Sequence, residues 1–127
     1  MRLLLVRHGE TDWNAAGRIQ GCTDTPLNAR GRAQAAVLAE KLRSSERAEA
    51  LYTSPLRRAA ETAEIIGSAL GLRPEPVEAL REISFGVWDG CSWAGRAMPG
   101  SWQGPARSWS SFAAPREGRR SPSATAR

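Results

Sequence analysis

The sequence predicts an α/β fold organised on a mainly parallel sheet. Three observations point there: an unbroken apolar run at the start, two helical patterns with recognisable ends, and short strand-like segments between and after them. Residues 2–6 (Arg-Leu-Leu-Leu-Val) are apolar at successive positions, the pattern of a strand covered on both faces. Arg7-His8-Gly9-Glu10-Thr11 is polar and contains glycine, so the strand ends in a loop. Asn28 stands where an N-cap should, and a helix is predicted from there to about Arg43. Ala35, Leu38, Ala39 and Leu42 share one face of it at helical spacing. Residues 49–53 form a second short strand. Ser54-Pro55 supplies an N-cap followed by proline at the first helical position. This helix ends near Leu70, Gly71 fits the left-handed stop, and Ala59, Ala63, Ile66 and Leu70 form its buried face. A third short strand is expected between Pro74 and Leu80. Parallel strands joined through helices call for right-handed crossovers.

The chain has 127 residues, enough for one modest domain. Its net charge of +5 suggests an acidic partner until the charges are located. Residues 1–92 hold 12 basic and 12 acidic side chains, whereas residues 93–127 hold six arginines and a single acid, Glu117. The same 35 residues contain no Leu, Ile or Val, but four Pro, four Gly and three Trp. Such a segment buries too little aliphatic surface to offset its ordering entropy. The expected division is therefore a folded region over 1–92 and a disordered tail over 93–127, whose composition also matches a GC-rich gene read out of frame. Cys22 and Cys91 form no CxxC pair, and with one histidine in the chain a Cys/His zinc site is not expected. Residues 3–6 are too short for a signal-peptide core or a membrane span. A reduced, cytoplasmic protein is the expectation, with no metal, no cofactor and no membrane partner.

Chemistry concentrates at the ends of the predicted strands, where open α/β sheets bind ligands. Arg7 offers a planar fork that matches phosphate oxygens, and a neutral His8 imidazole can attack phosphorus. Gly9 permits close approach of backbone to ligand. Arg58 lies in the first turn of the second helix, whose free N–H groups suit an anion. Glu82 follows the third strand, where it could protonate a leaving oxygen. Beside two arginines it would need burial to hold its proton. Taken singly, each of these is more often a structural or surface residue.

Together the segments resemble the histidine phosphatase superfamily, also called phosphoglycerate mutase-like. The first block is Leu5-Val6-Arg7-His8-Gly9-Glu10-Thr11 with Trp13-Asn14, then Gly17-Arg18-Ile19-Gln20-Gly21, Asp24-Thr25-Pro26-Leu27-Asn28 and Gly31-Arg32-Ala33-Gln34-Ala35. The second is Thr53-Ser54-Pro55-Leu56-Arg57-Arg58-Ala59 with Thr62-Ala63, and the third is Leu80-Arg81-Glu82-Ile83 with Phe85-Gly86, Trp88 and Gly90. The resemblance covers residues 1–92. It implies a three-layer α/β fold, helices on both faces of a mainly parallel sheet, present here only as its N-terminal half. It implies that His8 is the phosphorylated nucleophile, Glu82 the proton donor, Arg7 and Arg58 the phosphate clamp, and Asn14 a further phosphate ligand. Gln20 and Gly21 fall where the family loop lines the substrate entrance. Trp13 and Trp88 are read as packing residues. The second pocket histidine of the family has no counterpart in a chain with one histidine, so impaired activity is expected.

The implied function is hydrolysis of a small phosphorylated metabolite through phospho-His8. The direct path from Phe85-Gly86 to Trp88 favours the phosphatase branches over the alternative, a phosphoglycerate mutase. An alternative from another class is a non-catalytic protein that binds nucleic acid through its Arg- and Trp-containing tail. The oligomeric state is left open.

Overall fold

A computed structural model of the chain describes residues 1–92; the segment 93–127, expected to be a disordered or out-of-frame tail, lies outside the described residues. The element order is helix α1 (Asp12–Ala15), helix α2 (Ala29–Ser45), strand β1 (Leu51–Thr53), helix α3 (Arg57–Leu70) and strand β2 (Pro74–Pro76). Short 3-10 turns follow at Glu78–Leu80 and Gly86–Trp88. β1 and β2 pair in parallel, Leu51 opposite Pro74 and Thr53 opposite Pro76, with α3 as the connection between them. Val77 extends the pairing by donating its N–H to the Thr53 carbonyl at 2.8 Å. Prolines at both ends of β2 offer no N–H, which suits a strand with a neighbour on one side. The predicted α/β character and the parallel pairing are both present. Among the described residues no helix is long and apolar enough to cross a membrane.

α2 begins where predicted. The Asn28 side chain accepts the Gly31 N–H at 2.8 Å, and the helix runs two residues past Arg43. Ala35 and Ala39 are buried as expected, while Leu38 and Leu42 are only half-buried and Gly31 joins the buried set. α2 packs on α3, and Arg32 pairs with Glu61 across them at 3.2 Å. α3 buries Arg58, Thr62, Ala63, Ile66 and Gly67, whereas Ala59 and Leu70 stay half-buried. Gly67 fits against the Leu72 carbonyl, Pro74 and Leu51, so helix and sheet meet without an intervening side chain. Gly71 ends α3 in the left-handed conformation, φ +69°, as the sequence predicts.

Two expectations are corrected. Residues 2–6 form no strand: no backbone hydrogen bond among the described residues involves them, and Leu3 and Leu5 are 73% and 83% exposed. An apolar run specifies a strand only where a partner ladder accepts it. The second correction concerns the start of α3. Ser54 is not its N-cap; Leu56 is, without a side-chain cap bond. The first helical N–H, that of Arg57, instead donates to the Asp24 carboxylate at 2.6 Å. That cap comes from 33 residues upstream, where a local capping pattern cannot reveal it.

Candidate active site

The loop that carries His8 is clamped between the two long helices. Gly9 and Gly31 meet backbone to backbone, and a Cβ on either would collide with main-chain atoms of the opposing segment. Glu10 is tied to α2 four ways: its carbonyl accepts the Asn28 N–H at 3.0 Å, its N–H donates to Gln34 Oε1 at 3.0 Å, and its carboxylate accepts Asn28 Nδ2 at 3.1 Å and faces Arg30 at 4.0 Å. From the other side, Thr62 of α3 accepts the Gly9 N–H on its hydroxyl at 3.0 Å. The glycine signal in Arg7-His8-Gly9 therefore reflects close packing on α2.

His8 is half-buried, and its Nδ1 lies 2.7 Å from the Gly9 carbonyl oxygen. A carbonyl only accepts, so Nδ1 carries the proton and Nε2 presents its lone pair. Burial lowers the imidazole pKa below its ordinary value; the Gly9 hydrogen bond opposes this, nearby Arg58 and Arg7 reinforce it, and Glu82 opposes it. Arg7, Arg58 and Glu82, three more of the predicted residues, thus lie close enough to His8 to act on its charge. They come from three separate parts of the sequence.

Arg58 is 3% exposed, and its guanidinium donates to the carbonyls of Gly21 and Thr23, both at 2.7 Å. Burial lowers its pKa, and Glu82, Asp24 and Cys22 pull the other way. Two of its five donors thus hold the 21–23 loop and fix the plane of the fork. Arg7 is exposed. Glu82 is exposed too, with one oxygen accepting the Ile83 N–H at 3.3 Å, so the burial that the sequence reading required of it is absent.

Asn14 occupies the third position of α1 in a reciprocal capping box with Thr11. Its Oδ1 accepts the Thr11 N–H at 3.0 Å and faces the Thr11 hydroxyl at 3.1 Å. Because a backbone N–H can only donate, the atom facing Thr11 is Oδ1, and Nδ2 is left as the donor of the amide. Thr11 is completely buried, and its hydroxyl also lies 2.7 Å from Gln20 Oε1, which the Thr25 hydroxyl approaches as well. Gln20 is therefore spent on this internal network, and Gly21, buried at φ +53°, is packed against Asp89 and held by Arg58. Both are buried, and Gly21 is linked to the site through Arg58, which donates to its carbonyl. Trp13 is covered by Arg18, whose guanidinium sits 4.4 Å from the ring centroid, and it packs near Gly90. Two backbone bonds of Ile19 tie this loop to residues 90 and 91: the Gly90 N–H donates to the Ile19 carbonyl at 2.7 Å, and the Ile19 N–H donates to the Cys91 carbonyl at 2.8 Å. Sequence reasoning overlooked Thr11, Asp24 and Thr62 as parts of the site. Only the Thr11-to-Asn14 spacing carried a local signal, that of a helix N-terminus.

The family model for the histidine phosphatase superfamily (branch 1) matches residues 3–127. A metal-independent phosphoserine phosphatase from Arabidopsis thaliana is 46% identical over 93 residues, 72% of this chain and 39% of the relative. Phosphoglycerate mutase-like protein 4 from the same plant is 48% identical over 69 residues, 54% of this chain and 30% of the relative. The crystal structure of phosphoserine phosphatase from Entamoeba histolytica in complex with 3-phosphoglyceric acid superposes with a TM-score of 0.61 at 40% identity, covering 67% of this chain and 41% of that one. The chain thus spans about two fifths of the length of the first of these relatives. With its fold, its sequence blocks and the convergence of Arg7, His8, Arg58 and Glu82 in agreement, the chain belongs to the histidine phosphatase superfamily, branch 1.

Proposed function

We propose that the chain carries the phosphoryl-accepting half of a phosphomonoester hydrolase, with His8 as nucleophile. The observation that carries this reading is the half-buried imidazole, kept neutral and held by the Gly9 carbonyl with Nε2 open, among Arg7, Arg58 and Glu82. In the proposed reaction a phosphate monoester is gripped by Arg7, the remaining donors of Arg58, and Asn14 Nδ2. His8 Nε2 attacks phosphorus, the ester P–O bond breaks, and Glu82 gives its proton to the leaving oxygen. Water then attacks the phosphohistidine, returns a proton to Glu82 and releases inorganic phosphate. The guanidinium groups offset charge on the equatorial oxygens throughout. A small phosphorylated metabolite is the proposed substrate, with phosphoserine- and phosphoglycerate-type compounds the first to assay given the relatives. The proposed setting is the cytoplasm.

The second pocket histidine that the resemblance implies is not among the 127 residues, which hold one histidine. Loss of one preorganised donor costs on the order of 10²–10³ in rate, so turnover is proposed to be slow while phosphorylation of His8 persists. The test uses a labelled phosphodonor such as phosphoramidate on the full chain. Acid-labile, base-stable label is expected in the wild type and absent in His8→Ala. Label of equal extent in His8→Ala overturns the assignment. The mutase-like relative supports one alternative, decided by products: 3-phosphoglycerate yields free phosphate from a phosphatase and an isomer from a mutase.

A further inference from the structure

The hydroxyl of Thr62 stands at the junction of the nucleophile and the phosphate clamp. It accepts the N–H of Gly9 at 3.0 Å and donates to the carbonyl of Arg58 at 2.7 Å. Gly9 in turn supplies the carbonyl that holds His8 Nδ1 at 2.7 Å. Thr62 is 4% exposed, and Gly9 is buried with its other side against the Gly31 backbone. Gly9 is thus confined between a backbone contact on α2 and one hydroxyl on α3. A serine or threonine donating to the carbonyl four residues earlier is common within helices. Here the same oxygen also accepts a hydrogen bond from a loop 53 residues away. A helical hydroxyl serving only its own helix would leave the Gly9 N–H without a partner in a buried place, at the cost of an unmade hydrogen bond.

We infer that Thr62 is a positioning residue: its hydroxyl locks the Gly9 residue, and through the Gly9 carbonyl it fixes both the tautomer and the aim of the His8 ring relative to Arg58. The α3 turn that carries Arg58 and the loop that carries His8 are then registered by a single oxygen atom. Displacement of reacting groups by about 1 Å costs on the order of 10²-fold in rate, so such a lock matters to phosphoryl transfer. Its relevance to catalysis rests on the proposed role of His8; its effect on the ring does not.

The chain has one histidine, which makes the ring directly observable by ¹⁵N NMR. In the full-length wild type the imidazole is expected as the Nδ1–H tautomer, titrating below the ordinary histidine value. Thr62→Val keeps the shape and removes the hydroxyl. It is expected to give a mixture of tautomers and, because the Gly9 bond that favours the protonated ring is weakened, a titration midpoint still further below the ordinary value, and to slow phosphoramidate labelling of His8 about 10–100-fold. Thr62→Ser, which keeps the oxygen, is expected to restore the tautomer, the midpoint and most of the labelling rate. A folded Thr62→Val with unchanged tautomer and midpoint overturns the inference, as does a Thr62→Ser that behaves like valine. Should Thr62→Val fail to fold, hydrogen exchange on the wild type decides: a Gly9 amide exchanging as fast as an unprotected loop amide overturns the lock, and a protected one supports it. If the wild type takes no label yet its ring responds to Thr62 as described, the phosphatase reading fails and the positioning role stands.

Discussion

At the scale of single residues the site is defined by what holds each polar group, because every catalytic candidate needs an orientation as well as a position. His8 shows this through pH. Its folded pKa lies below the ordinary value of 6.5 that the unfolded chain has. Above that value both states hold the neutral ring, and its contribution to stability is fully present. As pH falls below the unfolded value, the unfolded chain takes up the proton first, and stability is lost until the folded pKa is passed. Urea unfolding at pH 7.5 and 5.5 is therefore expected to show a larger acid loss in the wild type than in His8→Asn, the carboxylates being common to both. Equal losses would contradict the burial argument. Asn14 makes the complementary point. Its amide is oriented by the Thr11 N–H, so a helix cap also fixes which of its atoms is left to donate.

At the scale of elements the fold depends on backbone approaches that side chains would prevent. Gly31 in the first turn of α2 admits the Glu10 backbone, and Gly67 in α3 admits the start of β2. Gly31→Ala ordinarily raises helix propensity, by up to about 1 kcal/mol. Here the added methyl would meet the Glu10 main chain, and displacing packed backbone typically costs about 1–3 kcal/mol. A net loss of stability is expected by urea unfolding, together with a change in the His8 ring signals, because the displaced segment adjoins Gly9. A stabilised Gly31→Ala would show that the loop yields freely. The start of α3 illustrates why some boundaries were legible and others were not. Asn28 caps a helix that follows it directly, and the sequence shows that cap. Asp24 caps a helix that begins 33 residues later, and only folding brings the two together.

At the scale of the whole molecule the described region has a small apolar interior and an unusual apolar exterior. Ile19, Leu27, Ala35, Ala39, Leu56, Ala63 and Ile66 are buried, while Leu3, Leu5, Tyr52, Leu80, Ile83 and Val87 are more than half exposed. An exposed apolar segment, in a molecule whose described sheet has two strands, invites association. The chain is expected to self-associate with rising concentration and to bind the dye ANS. Leu3→Lys combined with Leu5→Lys should reduce both effects while leaving the His8 NMR signals in place. Sedimentation velocity over a concentration series checks this, and an unaltered association in the double variant would locate the sticky surface elsewhere. The net charge of the chain explains none of this, since the excess of arginine lies in 93–127 and residues 1–92 balance.

What the sequence by itself determined is the set of features written in neighbouring residues. These are the α2 cap at Asn28, the left-handed stop at Gly71, the parallel order of β1 and β2 around α3, and the motif blocks that nominate Arg7, His8, Arg58 and Glu82. The cap and the stop follow from local hydrogen bonding and backbone freedom, the strand and helix order from hydrophobic patterning, and the nominated residues from the resemblance to the family. The tertiary structure alone decided where polar groups find partners across long stretches of chain. It capped α3 with Asp24, turned Arg58 onto the carbonyls of Gly21 and Thr23, and set the Thr62 hydroxyl on Gly9. It also left Leu3 and Leu5 exposed and residues 2–6 without a ladder, contrary to the pattern of a buried strand. The physical reason is the same in each case. A buried donor, acceptor or apolar face is satisfied by whatever folding brings beside it, and adjacency in space is not written in adjacency along the chain.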